Sequence, residues 1–277
     1  VGVRLYKYAT WRPFDKGCEE NKQCEFINKC YTKENLLNNV WFFNSPDNFN
    51  DPFDTLANIK TDCKPETIME YMVSGYMMSE NIPRQVAEQK ALEKLKTSKL
   101  FSDIPTLKRS AEEVILEYRK RTGVCCFTSN KPDTLLMWSH YADKHRGICL
   151  EFEITTGKVE YQIPNSIFKI IIAGVFKMKY QKKLPIFNFF EFEGAFELLT
   201  TKHRRWIYEQ EYRLISLNYT GPVGYLPEHL VGVYAGCNIG DNEFIDLQTT
   251  IKNLKSSPVL YRTTIKKEDY GLDIEKI

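Results

Sequence analysis

Between Lys64 and Arg121 the sequence changes period. "PETIMEYMVSGYMM", "PRQVAEQKALEKLK" and "TLKRSAEEVILEYRKR" carry apolar residues three and four apart, the spacing of one helix face. Pro65, Pro83 and Pro105 stand near their starts, where a missing N–H costs nothing. On both sides of this block the pattern is mostly the two-residue alternation of strands, as in "VRLYKY" (3–8), "VWFF" (40–43), "GVCCFTSN" (123–130) and "RGICLEFEI" (146–154). Further strands are expected near 159–163, 168–178, 211–217, 231–235 and 258–264. A short helix is expected near "TKENLLNN", and others over 131–145, with Asp133 as N-cap, over 188–202 and over 241–254. Helices grouped first and strands mostly later, with few regular βαβ units, predict an α+β fold. No internal repeat or low-complexity linker divides the chain. The expectation is one domain over 1–277 with a three-helix insertion at about 64–121.

Bulk properties exclude several classes. Of the 277 residues, 38 are basic and 36 acidic, a net charge of +2 with no global field for nucleic acid or a membrane. The longest apolar run, "IFKIIIAGVF" (167–176), holds Lys169 and is too short to span a bilayer. No secretory leader pattern opens the sequence, so a cytoplasmic location is expected. The eight cysteines include Cys18, Cys24 and Cys30, whose spacing lacks the tight C-x2-C turn of structural zinc sites. Cys125 and Cys126 are adjacent in an expected strand and read as small apolar residues on opposite faces. No phosphate-binding loop, dinucleotide fingerprint, zinc-protease, serine-hydrolase or EF-hand motif is present.

One stretch remains, "RWIYEQEYRL" (205–214). Read as a strand, it places Glu209, Glu211 and Arg213 on one face, and Tyr208, Tyr212 and Leu214 on the other. The polar face is either solvated or turned into a pocket, and spacing alone favours solvent. In a pocket, a carboxylate pair beside a guanidinium suits a reaction that builds positive charge on a sugar ring. The "TKHRRW" cluster (201–206) just before it reads as a solvated helix end or a phosphate contact.

Four segments in fixed order bear on that choice: "RLYKYAT", "WFFNSPDNFNDPFD", "CFTSNKPDTLLMWSHYADKHRGICLEF" and "RRWIYEQEYRLI". Together they resemble a bacterial family known mainly as a domain of unknown function. Some of its members are described as abortive-infection (AbiGi-like) phage-resistance proteins. The likeness runs from residue 4 to about 236, outside the helical insertion and the tail. The segment order is in turn similar to that of ADP-ribosyltransferases, which implies mixed, mostly antiparallel twisted sheets and NAD as substrate.

On that resemblance Arg4 and Lys7 contact ribose or pyrophosphate, with Lys7 standing where many of these transferases carry His. Thr128 and Ser129, or Tyr141 with His140 beside it, stand where those transferases carry a strand ending in Ser or Thr, or a Tyr-bearing helix. Tyr141 or Phe53 stacks on nicotinamide, and Asn50 and Asp51 close over the pocket. Glu211 holds the reacting ribose, and Glu209 orients the acceptor nucleophile or the second ribose hydroxyl; Arg213, on the same face by spacing alone, can hold one of the two carboxylates ionised. The acceptor implied is a macromolecule, nucleic acid among the candidates, in phage defence or toxin action. Two other readings stand beside this one: a non-catalytic sensor or inhibitor module, and a nuclease whose metal is held by Asp51, Asp54, Glu209 and Glu211.

Overall fold

The structure is a computed structural model, and it describes residues 2–12, 31–61, 64–97, 104–155, 159–162, 169–190 and 194–277. Cys18, Cys24, Cys30 and Cys63 lie outside the described residues. From the amino end come β1 (Gly2–Ala9), α1 (Tyr31–Leu37), β2 (Val40–Phe43) and β3 (Asn58–Lys60). Three helices follow, α2 (Pro65–Glu80), α3 (Arg84–Thr97) and α4 (Ile104–Arg121), where the sequence period predicts them. Next are β4 (Gly123–Thr128), α5 (Leu135–Tyr141), β5 (Ile148–Thr155), β6 (Val159–Gln162) and β7 (Lys169–Lys177). The short elements β8 (Lys179–Gln181), β9 (Ile186–Asn188), α6 (Ala195–Thr200) and β10 (Thr201–His203) come after them. The chain ends with β11 (Glu211–Ser216), β12 (Gly221–Gly224), β13 (Leu230–Ala235), α7 (Asp241–Lys252), β14 (Val259–Ile265) and β15 (Leu272–Lys276). Among the described residues, no helix is long and apolar enough to cross a membrane.

The fold is mixed α+β, and the chain divides into two compact units. The first takes Val1–Ser45, Thr122–Met178 and Trp206–Ile277. Among the described residues it holds a nine-stranded sheet in the order β15-β14-β13-β5-β1-β4-β11-β7-β6. Neighbours are antiparallel except for β13 and β14, which run parallel. Alternation in the central strands sends Leu5, Phe127, Leu150, Phe152, Leu214 and Val233 to one face. There they pack with Trp41, Tyr225 and Leu247 into the main core. Trp41 is the hub, edge-on to Phe127 and Phe152 and stacked on Tyr225 and His229. The opposite face carries a smaller cluster in which Trp138 and Met137 of α5 cover Tyr6, Tyr8, Cys149 and Tyr234.

The second unit takes Pro46–Arg121 and Lys179–Arg205. It contains α2 to α4, the parallel pairs β3–β9 and β8–β10, and α6. Pro65 opens α2, and Asn81, left-handed at φ 53°, closes it. Val73 of α2 meets Ala87 and Ala91 of α3 in a small apolar seam. Lys202 is buried here against Asp54 at 3.7 Å, so the "TKHRRW" cluster is not uniformly solvated.

Two helix expectations require correction. The helix expected over 188–202 is short, Ala195–Thr200, because Ile186–Asn188 pairs with β3 and Gly194 enters the left-handed region. The helix expected over 131–145 spans only Leu135–Tyr141, and its N-cap is Thr134, not Asp133. It stops because Asp143, Lys144 and His145 are left-handed in succession, at φ 47°, 56° and 66°. That run is held by Arg12, bidentate on Asp143 at 2.9 and 3.1 Å, and by the Asn238 N–H on the His145 carbonyl at 3.0 Å.

Candidate functional site: the polar face of the central sheet

Strand register places a polar row on the face opposite the main core. Glu211 of β11 lies opposite Thr128 of β4, Thr128 opposite Tyr6 of β1, and Tyr6 opposite Glu151 of β5. Directly opposed residues point to the same side of a sheet, so the four share one face. Three strand steps of about 4.8 Å put the backbones of the two glutamates about 14 Å apart. Both are buried, Glu211 at 5% and Glu151 at 5% exposure.

At the β11 end, Arg213 donates from Nε to Glu211 Oε1 at 2.7 Å, with Nη2 3.5 Å from Oε2. Arg213 is 1% exposed, so the pair is a charge-assisted contact inside protein rather than on its rim. Cys126 lies beside it, and its thiol is pushed up by burial and by the Glu211 charge, which leaves it a neutral neighbour. Glu209 departs from expectation. It belongs to a 3-10 helix, Arg204–Glu209, and Gln210 turns left-handed at φ 44° before β11 begins. That reversal breaks the strand alternation, so Glu209 lies outside β11, and its side chain instead meets α5, the helix that covers the same sheet face. It is nonetheless buried, and the Tyr141 hydroxyl donates to its Oε1. The Thr128 hydroxyl donates to the Glu209 carbonyl, tying the end of β4 to this turn.

At the β5 end is a cluster that sequence reasoning missed. Tyr234 donates to Glu151 Oε2 at 2.7 Å, while Arg4 Nη1 at 3.2 Å and Tyr6 at 3.4 Å donate to Oε1. Burial, then the Glu151 charge, pushes the Tyr6 phenol up to about 12, and burial with a Glu151 hydrogen bond raises Tyr234 too. Both phenols therefore stay protonated and act as donors. The cluster floors a cleft of about 470 Å³, walled by Tyr261 and Ile274 and edged by Ser129, Lys131, Pro132 and Asp133. The available signal was the alternation Glu151-Phe152-Glu153, but only register shows that Tyr6 and Gly232 stand opposite Glu151.

The remaining expected residues separate. Arg4 and Lys7 fall on opposite faces of β1, because their separation of three is odd. Lys7 points toward the core side, and its Nζ donates to the Cys126 carbonyl at 2.9 Å. Ser129 edges the cleft and binds the Gln210 carbonyl through its N–H at 3.1 Å. His140 is exposed, its ring 6.0 Å from that of Tyr208. Asn50, Asp51 and Phe53 belong to the second unit. There Asp51 Oδ1 accepts the Phe53 N–H at 2.9 Å, capping its own turn, and Phe53 is 71% exposed. Among the described residues, no group of three or more His, Cys, Asp or Glu is arranged to hold a metal ion.

Residues 137–214 match the model of a family described as protein of unknown function (DUF2971). The matched segment runs from α5 to the middle of β11, and so takes in "WSHYADKHRG", β5 and the Glu209–Arg213 region. No curated protein and no solved structure matches the chain.

Proposed function

We propose that this protein is an NAD-consuming enzyme of the ADP-ribosyltransferase type, with Glu211 as its catalytic carboxylate. One observation carries the reading. Three of the four segments that suggested it supply β1, β4 and β11, which span more than two hundred residues of sequence yet are neighbours in the sheet. Their register sets Tyr6, Thr128 and Glu211 in one row on one face. All three are buried, which a solvated strand face would not require.

In the proposed reaction the bond between the ribose C1′ and the nicotinamide nitrogen breaks, and nicotinamide leaves with the electron pair. Glu211 faces the oxocarbenium-like sugar and accepts a hydrogen bond from its 2′-hydroxyl. An acceptor nucleophile then bonds to C1′ and releases its proton. Arg213 is a positioning residue, fixing the Glu211 carboxylate through Nε. Glu209 serves by anchoring Tyr141 over the same end of the sheet. The acceptor is a macromolecule, nucleic acid being the first to try, in a phage-defence or toxin setting.

Calorimetric titration with NAD and a nicotinamide-release assay test this on wild type, Glu211→Gln and Arg213→Lys. The expected result is NAD binding by all three. Release should fall about 10²–10³-fold in Glu211→Gln, the scale of losing one electrostatic stabiliser. Wild-type protein that neither binds NAD nor releases nicotinamide would sink the proposal. NAD bound without turnover would favour the sensor reading.

A further inference from the structure

The cleft over Glu151 shares Tyr6 with the row above, but Glu151 has no part in the proposed reaction, and the construction of the cleft points to a ligand. A buried carboxylate is a weak source of stability even when paired, because desolvation offsets the attraction. Here one of its partners is hardly buried: the Arg4 side chain is 65% exposed, against 7% for that of Glu151. The backbone also makes room for this carboxylate. A Cβ on Gly232, directly across from Glu151, would stand 2.8 Å from Glu151 Oε2.

The walls favour a planar cation. Tyr234 and Tyr261 stack in parallel at 4.5 Å, and Tyr6 meets Tyr234 edge-on at 6.4 Å. Neutral phenol rings around an acid are attractive to a guanidinium, which is weakly hydrated and lies well on aromatic surfaces. A guanidinium already occupies the acid, since Arg4 reaches Glu151 Oε1 at 3.2 Å and lies 4.0 Å from Glu153 Oε2. Its forked donors suit two carboxylates in a way a compact ammonium does not. An anion, by contrast, would meet the Glu151 carboxylate at the floor.

We propose that the Glu151 cleft is a binding site for the guanidinium group of an arginine-type ligand, which takes the place of Arg4 on Glu151 beside the tyrosine wall. Arg4, mostly in solvent, regains water when displaced and so holds the site provisionally. The inference does not rest on the NAD reading, because Glu151 lies three strands from Glu211.

The test is calorimetric titration of the full chain with agmatine and with the peptide Gly-Arg-Gly, using butylamine and adenosine monophosphate as comparators. Wild type should bind one guanidinium ligand saturably and prefer it to butylamine. Arg4→Ala removes the internal competitor and should tighten binding about tenfold, and Glu151→Gln should weaken it by at least about tenfold, the worth of one charge-assisted hydrogen bond. Glu211→Gln should leave it unchanged. Tighter binding of the peptide than of agmatine assigns the guanidinium to a protein partner, and the reverse assigns it to a small molecule; either supports the site. The proposal is overturned if agmatine fails to bind Arg4→Ala, or if Arg4→Ala and the Arg4→Ala/Glu151→Gln double variant bind equally. Adenosine monophosphate binding in preference, and dependent on Glu151, would also overturn it. Arg4→Ala alters an exposed side chain, so it decides the question even where Glu151→Gln does not fold. Absence of NAD turnover would leave these outcomes as they stand.

Discussion

A lysine on the core side of a sheet needs an acceptor, and Lys7 has one in the Cys126 carbonyl at 2.9 Å. That carbonyl is available because β1 and β4 pair through a single opposed couple, Tyr6 with Thr128. Replacing Lys7 by Met should therefore cost about 1.5–3 kcal/mol, the range for a hydrogen bond to a charged group, measured as a shift in the urea midpoint. A stability unchanged by the substitution would mean the bond is idle. His229 gives a second test. Burial depresses its imidazole below the ordinary 6.5, so the folded state prefers the neutral ring that stacks on Trp41. A folded value below the unfolded one contributes stability that is complete above 6.5 and is lost as the pH falls below it. Urea midpoints should drop between pH 7.5 and 5, and His229→Phe, which keeps a flat ring, should reduce that drop. His145 is shifted in the same direction by burial and should leave part of the drop in place. Residue identity was open to reading from the sequence, but the face was not. Arg4 and Lys7 look equivalent in "RLYKY" until parity and register set one over Glu151 and the other over Cys126.

At the scale of elements, the informative features are where regular structure stops. Gln210 is left-handed between a 3-10 helix and β11, so "EQE" spans a corner instead of lying along one strand. Period-two counting cannot see such a corner, because Gln is not a residue that announces positive φ. The same limit hid the early end of α5. In "ADKHRG" Asp143 and His145 are types that tolerate positive φ, but no local signal calls for three in succession, a run that tertiary contacts from Arg12 and Asn238 stabilise. The corner after α5 is also crowded: a Cβ on Gly147 would sit 2.2 Å from the Ala9 carbonyl oxygen. Gly147→Ala should thus force β1 and the α5–β5 corner apart, at a cost of about 1–3 kcal/mol. A thermal melt no different from wild type would contradict that crowding. The segments α4 and β5 were legible because burial of one face wrote itself into their spacing, whereas α2 and α3, which bury only Val73, Ala87 and Ala91, were legible from their helix-forming residues and the prolines near their starts. Short edge elements such as β12 and β15 were not, since pairing rather than pattern makes them strands.

For the whole molecule, the chain leaves the first unit twice and returns twice. Paired backbone flanks the first departure and return and holds the second departure to β11. Asn44 and Val124 exchange hydrogen bonds at 2.8 and 3.0 Å, and the Met178 N–H reaches the Glu211 carbonyl at 3.0 Å. A shortened chain that joins Ser45 to Thr122 and Met178 to Trp206 through brief Gly-Ser links should therefore keep the nine-stranded sheet. Its circular dichroism should retain the strand signal, and it should unfold cooperatively; a broad, non-cooperative melt would show that the sheet depends on the removed residues. The α+β class followed from the grouping of helices, but the order β5-β1-β4-β11 did not, because nothing local says which distant strands will pair. That order has a consequence on the ribosome. β1 is made first, yet Lys7 must wait for Cys126, 119 residues later, before one side of the strand has a neighbour. At about 5–20 residues per second, the nascent strand spends roughly 6–24 s with that edge open. Arg4 and Lys7 then act as charged guards against premature pairing with other chains, before either has the partner it holds in the finished protein.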